Sequence, residues 1–206
     1  MSQDDVLGAR QAAQLLQHSA DHARKRLTVN YAPIYTAWGV AWLIGCGAAW
    51  LSVRTQHPFH GPAAWASAIL AAGTSLAAAV TAATVSRSAR GIGGVWARQG
   101  MMFALSWPVS FGALFAIIGA AVHFGASPAL TALLGVAGAP MIVGLIYLLA
   151  AGMWLDWVMF WLGAWLLLVA AAGVWTGPVG MLFIDAVAGG GGFLAAAALL
   201  ASRKRA

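Results

Sequence analysis

Charged residues are scarce in this sequence. Asp, Lys and Arg together make up 8% of the 206 residues, and glutamate is absent. A soluble domain has about 25% charged residues, so a chain of this composition cannot cover a surface exposed to water. Cysteine is nearly absent as well. The single Cys46 excludes an intrachain disulfide and a cysteine-based metal cluster.

Catalytic signatures are missing too. The sequence contains no phosphate-binding loop, no zinc-binding signature and no Ser-His-Asp arrangement with a supporting motif. We therefore expect a protein that is not an enzyme and that has no cofactor. If its function uses ATP, a separate subunit has to bind the nucleotide.

Apolar residues account for 62% of the chain, and they gather in runs of about 20 residues, the length that spans a bilayer as a helix. The expected fold is all-α, a polytopic membrane protein with six transmembrane helices arranged as three hairpins. We place the six runs at residues 34–53, 63–85, 101–122, 129–151, 154–173 and 179–201.

The two ends of the chain are more polar. Residues 1–33 carry acids early and basic residues late, which favours a helix, and their apolar positions share one stripe. This segment is predicted to be a cytoplasmic amphipathic helix. The predicted transmembrane domain covers 34–201, and residues 202–206 form a basic cytoplasmic tail.

The basic residues predict the orientation. Ten of the eleven Lys and Arg precede the first run, lie between the second and third, or follow the sixth; only Arg54 lies on the other side. The positive-inside rule then places both termini in the cytoplasm, with the chain in the bacterial inner (plasma) membrane. Because these residues lie at the ends of apolar runs, we expect the lipid bilayer as their partner and no nucleic acid.

Asp185 is the one acid predicted to lie within the membrane body, and the glycine run Gly189, Gly190, Gly191 and Gly192 follows it one helical turn later. An acid in a transmembrane helix often serves an ion or proton pathway, so Asp185 is a candidate proton or cation site. The glycines could break the helix near Asp185, as Pro140 could in the fourth run. Alternatively, they allow another helix to approach closely, and we favour this packing interpretation.

Asp156 precedes the fifth run, where a carboxylate is favoured at a helix N-terminus. We expect it to cap that helix. The fifth run also carries Trp161 and Trp165 on one helical face, deeper than an interfacial belt requires. They are candidates for an aromatic wall along a solute pathway, although bulk packing or a lipid-facing stripe is the interpretation we favour.

Three histidines, His57, His60 and His123, fall on the outer side of the predicted topology. Imidazoles that titrate near neutral pH could respond to pH there. The sequence HPFH alone is a weak metal signature, and ordinary polar loop residues are the favoured interpretation. No metal site is predicted.

Three stretches resemble a known family: YAPIYTAWGVAWLIG (31–45), LIYLLAAGMWLDWVMFWLGAWLLL (145–168) and FIDAVAGGGGFLAAAALL (183–200). They look like small six-span membrane proteins of high-GC actinobacteria, whose members are labelled transporter or permease-like or are uncharacterised. The resemblance covers most of the chain after residue 30 and rests on Trp and Gly patterns. It implies a membrane location and favours transport, without indicating a substrate.

The leading functional expectation is transport, coupled to protons, of a small or lipophilic cationic solute. Asp185 would bind the proton or cation, and Trp161 and Trp165 would line the path. A chain this short often needs a homo-oligomer to enclose a pathway. The alternative is a non-enzymatic accessory or sensory subunit. Such a subunit would partner an ATP-binding subunit or another membrane protein through loop 86–100 and the N-terminal helix.

Overall fold

The computed structural model describes residues 30–89 and 93–203, and every regular element within those ranges is helical. This confirms the all-α class. In chain order the elements are α1 (Tyr31–Val53), α2 (Ala64–Ser88), α3 (Val95–His123), α4 (Pro128–Trp154), α5 (Trp157–Gly173), a 3-10 turn (Val174–Thr176), α6 (Gly177–Ile184), a π-helical segment (Asp185–Gly189) and α7 (Gly190–Ser202).

Five helical segments of the described part are long and apolar enough to cross a membrane. Helices α1 to α4 are four of them. The fifth is the whole stretch Trp157–Ser202, 46 residues long, which contains the sixth predicted run and the fifth from residue 157 onward. Residues 1–29 of the predicted N-terminal amphipathic helix lie outside the described residues. The last residues of that predicted helix, 31–33, belong to α1. Residues 204–206 of the predicted tail also lie outside them.

Side chains at three helix starts satisfy backbone N–H groups that no helical carbonyl can reach. Asn30 accepts from the N–H of Ala32 at the start of α1, and Ser127 accepts from Leu130 at the start of α4. Asp156 confirms the predicted cap. Its Oδ1 accepts the backbone N–H groups of residues 158 and 159, at 2.8 and 3.1 Å.

The core lies between α1, α4, α5 and α7. Aromatic and aliphatic side chains from all four helices meet there, among them Tyr35, Tyr147, Leu166 and Phe193. Glycines allow the closest approach of α4 to α5, since a Cβ on Gly144 would lie only 2.8 Å from a backbone oxygen of α5. Small residues at such crossings are the usual means of packing helices in lipid.

Helices α2 and α3 contribute little to this core. Only Ala66 and Ala77 of α2 are buried, and only Leu114 of α3. Helix α2 packs on α1. The indole N–H of Trp38 on α1 donates a hydrogen bond of 3.0 Å to the hydroxyl of Thr81 on α2. Helix α3 packs on α4. Most of the surface of α2 and α3 is therefore free to face lipid.

Candidate functional site: a buried carboxyl on a π-helical segment

Asp185 is the first residue of the π-helical segment and is only 2% exposed. In a π-helix the backbone N–H bonds to the carbonyl five residues earlier, as Gly190 does here to Asp185. Such segments are rare and occur frequently at functional sites. Small side chains make up most of this segment, DAVAG.

Apolar groups surround the Asp185 carboxyl. Its helical neighbours Leu182 and Ala186 pack with Cys46 and other residues of α1 in a buried cluster. Oδ1 of Asp185 is buried and has no hydrogen-bond partner among the described residues. Burying a polar atom without a partner costs about 1–3 kcal/mol, and an acid at the centre of a membrane helix costs about 2.5–3.5 kcal/mol on insertion scales. A bound proton or cation would remove most of that cost.

The first two glycines of the run hold this segment against α1. A Cβ on Gly190 would lie 2.9 Å from the backbone nitrogen of Leu43 and 3.0 Å from the carbonyl oxygen of Gly39. A Cβ on Gly189 would lie 2.7 Å from the ring of Trp42 and 4.0 Å from Oδ1 of Asp185. The Trp42 ring and Oδ1 of Asp185 therefore both lie close to the Cβ position of the same glycine.

The last two glycines have other surroundings. A Cβ on Gly191 would meet no neighbouring group within 4 Å, whereas one on Gly192 would lie 2.6 Å from the indole of Trp165. The chain remains helical through the whole run, since Gly189 ends the π-helical segment and Gly190 begins α7, so the described backbone is not unwound at these glycines. Helix α4 likewise continues through Pro140, which is buried.

Trp161 and Trp165 lie on the surface of the described part, 65% and 43% exposed. They line a groove between α5 and α7, and Asp185 is not among the residues that line it. The Trp165 indole N–H donates to the carbonyl oxygen of Ala188 at 2.8 Å. The structure therefore brings Trp165 to the π-helical segment but does not bring it together with the Asp185 carboxyl in one cavity.

The three candidate histidines are all exposed. His57 and His60 lie between α1 and α2, and His123 is the last residue of α3. In residues 30–89 and 93–203, no group of three His, Cys, Asp or Glu side chains is placed to hold a metal ion.

A second buried polar atom was not anticipated from the sequence. The hydroxyl of Tyr35 has no hydrogen-bond partner in the described part. Its ring centroid lies 6.0 Å from those of Tyr31 and Tyr147 and 6.2 Å from that of Phe193. The chain has only three tyrosines, and all three meet in this cluster. The presence of Tyr35 and Tyr147 inside predicted spans was the signal that could have indicated it.

Phe193 joins the tyrosine cluster to the surroundings of Asp185. Its ring lies 5.5 Å from that of Trp42, edge to face, and Trp42 covers Gly189. Tyr35 and Trp42 are seven residues apart on α1, about 10 Å along the helix. The two unpartnered polar atoms are thus separated by a continuous aromatic layer. Comparison of the chain with protein-family models, with curated proteins and with solved structures gave no match.

The contacts of the glycine run predict opposite effects of the same substitution at adjacent positions. Gly190→Ala should destabilise the fold by about 1–3 kcal/mol, because the added methyl meets the backbone of α1 and neither side can yield cheaply. Gly191→Ala should be neutral or stabilising by up to about 1 kcal/mol, because the methyl enters open space and alanine favours the helix. Thermal unfolding of both variants in detergent measures the difference. Equal unfolding temperatures would show that α1 does not pack on Gly190 as described.

Proposed function

We propose that the chain is a multi-pass, transporter-like protein of the bacterial inner membrane. In this proposal Asp185 binds a proton or small cation, and this binding is coupled to the movement of a small or lipophilic cationic solute. One observation carries the proposal. The Asp185 carboxyl is almost completely buried on a π-helical segment, and Oδ1 lacks a partner. A group that costs this much to bury is easiest to explain if it binds something.

The proposed topology has six spans with both termini in the cytoplasm. A straight helix of the length of Trp157–Ser202 would extend for about 69 Å, more than twice the hydrocarbon thickness of about 30 Å. Within it, Gly177 has a φ of 74°, which interrupts the helix. Trp165 then reaches Ala188 through its indole N–H. These contacts support a reversal near residue 177 and a count of six.

The proposal rests on Asp185 and not on Trp161 and Trp165. Both tryptophans line a groove that ends at Arg203, and a guanidinium disfavours a cation nearby. In this proposal a cationic solute therefore does not reach Asp185 through this groove. The outer histidines His57, His60 and His123 are exposed and are retained only as candidates for a response to external pH.

One observation favours the alternative of an accessory subunit. Trp96, at the start of α3, is 67% exposed, and Arg98, two residues further along, is exposed as well. An exposed tryptophan next to an arginine is typical of interaction sites. A subunit should copurify with a stoichiometric partner, such as an ATP-binding protein, and should lose it in a Trp96→Ala, Arg98→Ala variant. Purification as a homogeneous homo-oligomer alone would favour the self-contained transporter.

The topology can be tested with single cysteines in a Cys46→Ala background. Cysteines at Ser88 and Ser202 should resist an impermeant thiol reagent added to intact cells, because the basic residues place both positions inside. A cysteine at Thr55, which is exposed in the segment after α1, should react and serves as the control. If the cysteines at positions 88 and 202 are labelled and the one at position 55 is protected, the orientation is the reverse of the proposed one. If only one of the positions 88 and 202 is labelled, the number of spans between these two positions is not even.

The role of Asp185 can be tested by its replacement with asparagine, which has nearly the same shape but cannot change its charge. Asp185→Asn should unfold in detergent at nearly the wild-type temperature and should lose proton flux in proteoliposomes under a pH gradient. Asp156→Asn is the matched control, since asparagine caps a helix about as well as aspartate, and it should keep both properties. Wild-type flux in Asp185→Asn would remove this carboxyl from the mechanism.

A further inference from the structure

The groove between α5 and α7 is built from two very different helix faces. Indoles spaced four residues apart on α5, from Trp157, Trp161 and Trp165, form its wall. Small residues of α7, such as Gly191 and Ala195, form its floor. The contrast in side-chain size creates the concavity, and it lies open to the surroundings of the bundle.

The groove is not filled by the described chain. Its volume is about 630 Å³, within the range of about 300–1,000 Å³ that is common for small-molecule sites. A Cβ on Gly191 would meet no neighbouring group within 4 Å. The lining runs from Val187 to Arg203, about 24 Å along the helix at 1.5 Å per residue. The groove is therefore longer than the thickness of one hydrocarbon leaflet, which is about half of 30 Å.

Charge is confined to one end of the groove. Among the described residues that line it, Arg203 alone is charged, and the sequence continues with Lys204 and Arg205. Asp156 lies next to Trp157, but its Oδ1 already accepts two backbone N–H groups. The groove is thus apolar and aromatic along its length and basic at the end where the positive-inside rule places the cytoplasmic headgroups.

A described helix of a second copy does not fit this pattern well. Such a helix could enter the apolar part, but it would need a carboxylate to face Arg203. Residues 30–89 and 93–203 hold two acids. Asp156 is engaged as a helix cap, and Asp185 is buried. A lipophilic cation fits less well still, because it would meet the guanidinium.

We propose that the α5–α7 groove binds one anionic phospholipid of the cytoplasmic leaflet. The phosphate lies at Arg203, and an acyl chain lies along Gly191 and Ala195 against the indoles of Trp161 and Trp165. A basic residue near the membrane surface attracts anionic lipid, and the small residues allow the acyl chain to pack below the level of the surrounding surface. The proposal does not depend on proton or cation binding at Asp185.

The experiment is lipid titration of the purified full-length protein in detergent, read by native mass spectrometry. The two probes are phosphatidylglycerol and phosphatidylcholine with identical acyl chains. Wild type should retain one phosphatidylglycerol more tightly than phosphatidylcholine. Arg203→Gln should weaken that first binding step about fivefold, the equivalent of about 1 kcal/mol. Arg54→Gln, which removes the basic residue of the opposite side, should leave it unchanged.

A matched pair of substitutions on α7 tests the apolar half of the groove. Ala195→Leu places a large side chain in the groove and should weaken binding of phosphatidylglycerol. Ala198→Leu places the same side chain on an exposed position of α7 outside the lining and should not. Unfolding temperatures in detergent confirm that both variants are folded.

Four outcomes would overturn the proposal. The first is equal retention of the two lipids by wild type. The second is unchanged retention in both Arg203→Gln and Ala195→Leu. The third is competition by tetraphenylphosphonium together with insensitivity to Arg203→Gln, which would assign the groove to a lipophilic cation. Dissociation of a dimer by Ala195→Leu without a change in lipid retention would likewise assign it to a second copy.

Discussion

The close packing of α1 on the start of α7 is the contact on which the rest of the site depends. Because Gly190 has no side chain, the backbone of α1 at Gly39 and Leu43 can approach it directly. That approach places Trp42 over Gly189 and excludes lipid and water from the space beside Asp185. Burial of the acid is therefore a consequence of a backbone contact. A helix with larger residues here would leave the carboxyl at an open surface.

The four consecutive glycines illustrate why one sequence pattern does not have one meaning. Gly189 accommodates an aromatic ring, Gly190 accommodates a backbone, Gly192 accommodates the Trp165 indole, and Gly191 faces the open groove. The packing interpretation explains three of the four. The acid that precedes them needs a separate explanation, since packing alone leaves Oδ1 of Asp185 without a partner.

The sequence predicted those features that depend on local composition. Apolar runs predicted the helices, and the position of Asp156 predicted its cap, because both depend on neighbours within one turn. The break at 86–100 is shorter than expected, since residues up to Ser88 and from Val95 onward are helical. The π-helical segment was not predictable. Its register depends on contacts with α1 and α5 that lie more than 20 residues away in sequence.

The candidate acid and the α5–α7 groove lie on different sides of one five-residue segment. On one side Trp42 covers Gly189 next to Asp185. On the other side the indole of Trp165 binds the carbonyl of Ala188. A movement of α5 that broke this hydrogen bond would remove one partner of the Ala188 carbonyl, in the segment that contains Asp185. An α-helical and a π-helical register differ in which carbonyls are bonded, and the Trp165 hydrogen bond is one contact that the Ala188 carbonyl makes in the π-helical segment. The position of α5 and the environment of the buried acid are thus coupled through the backbone between them.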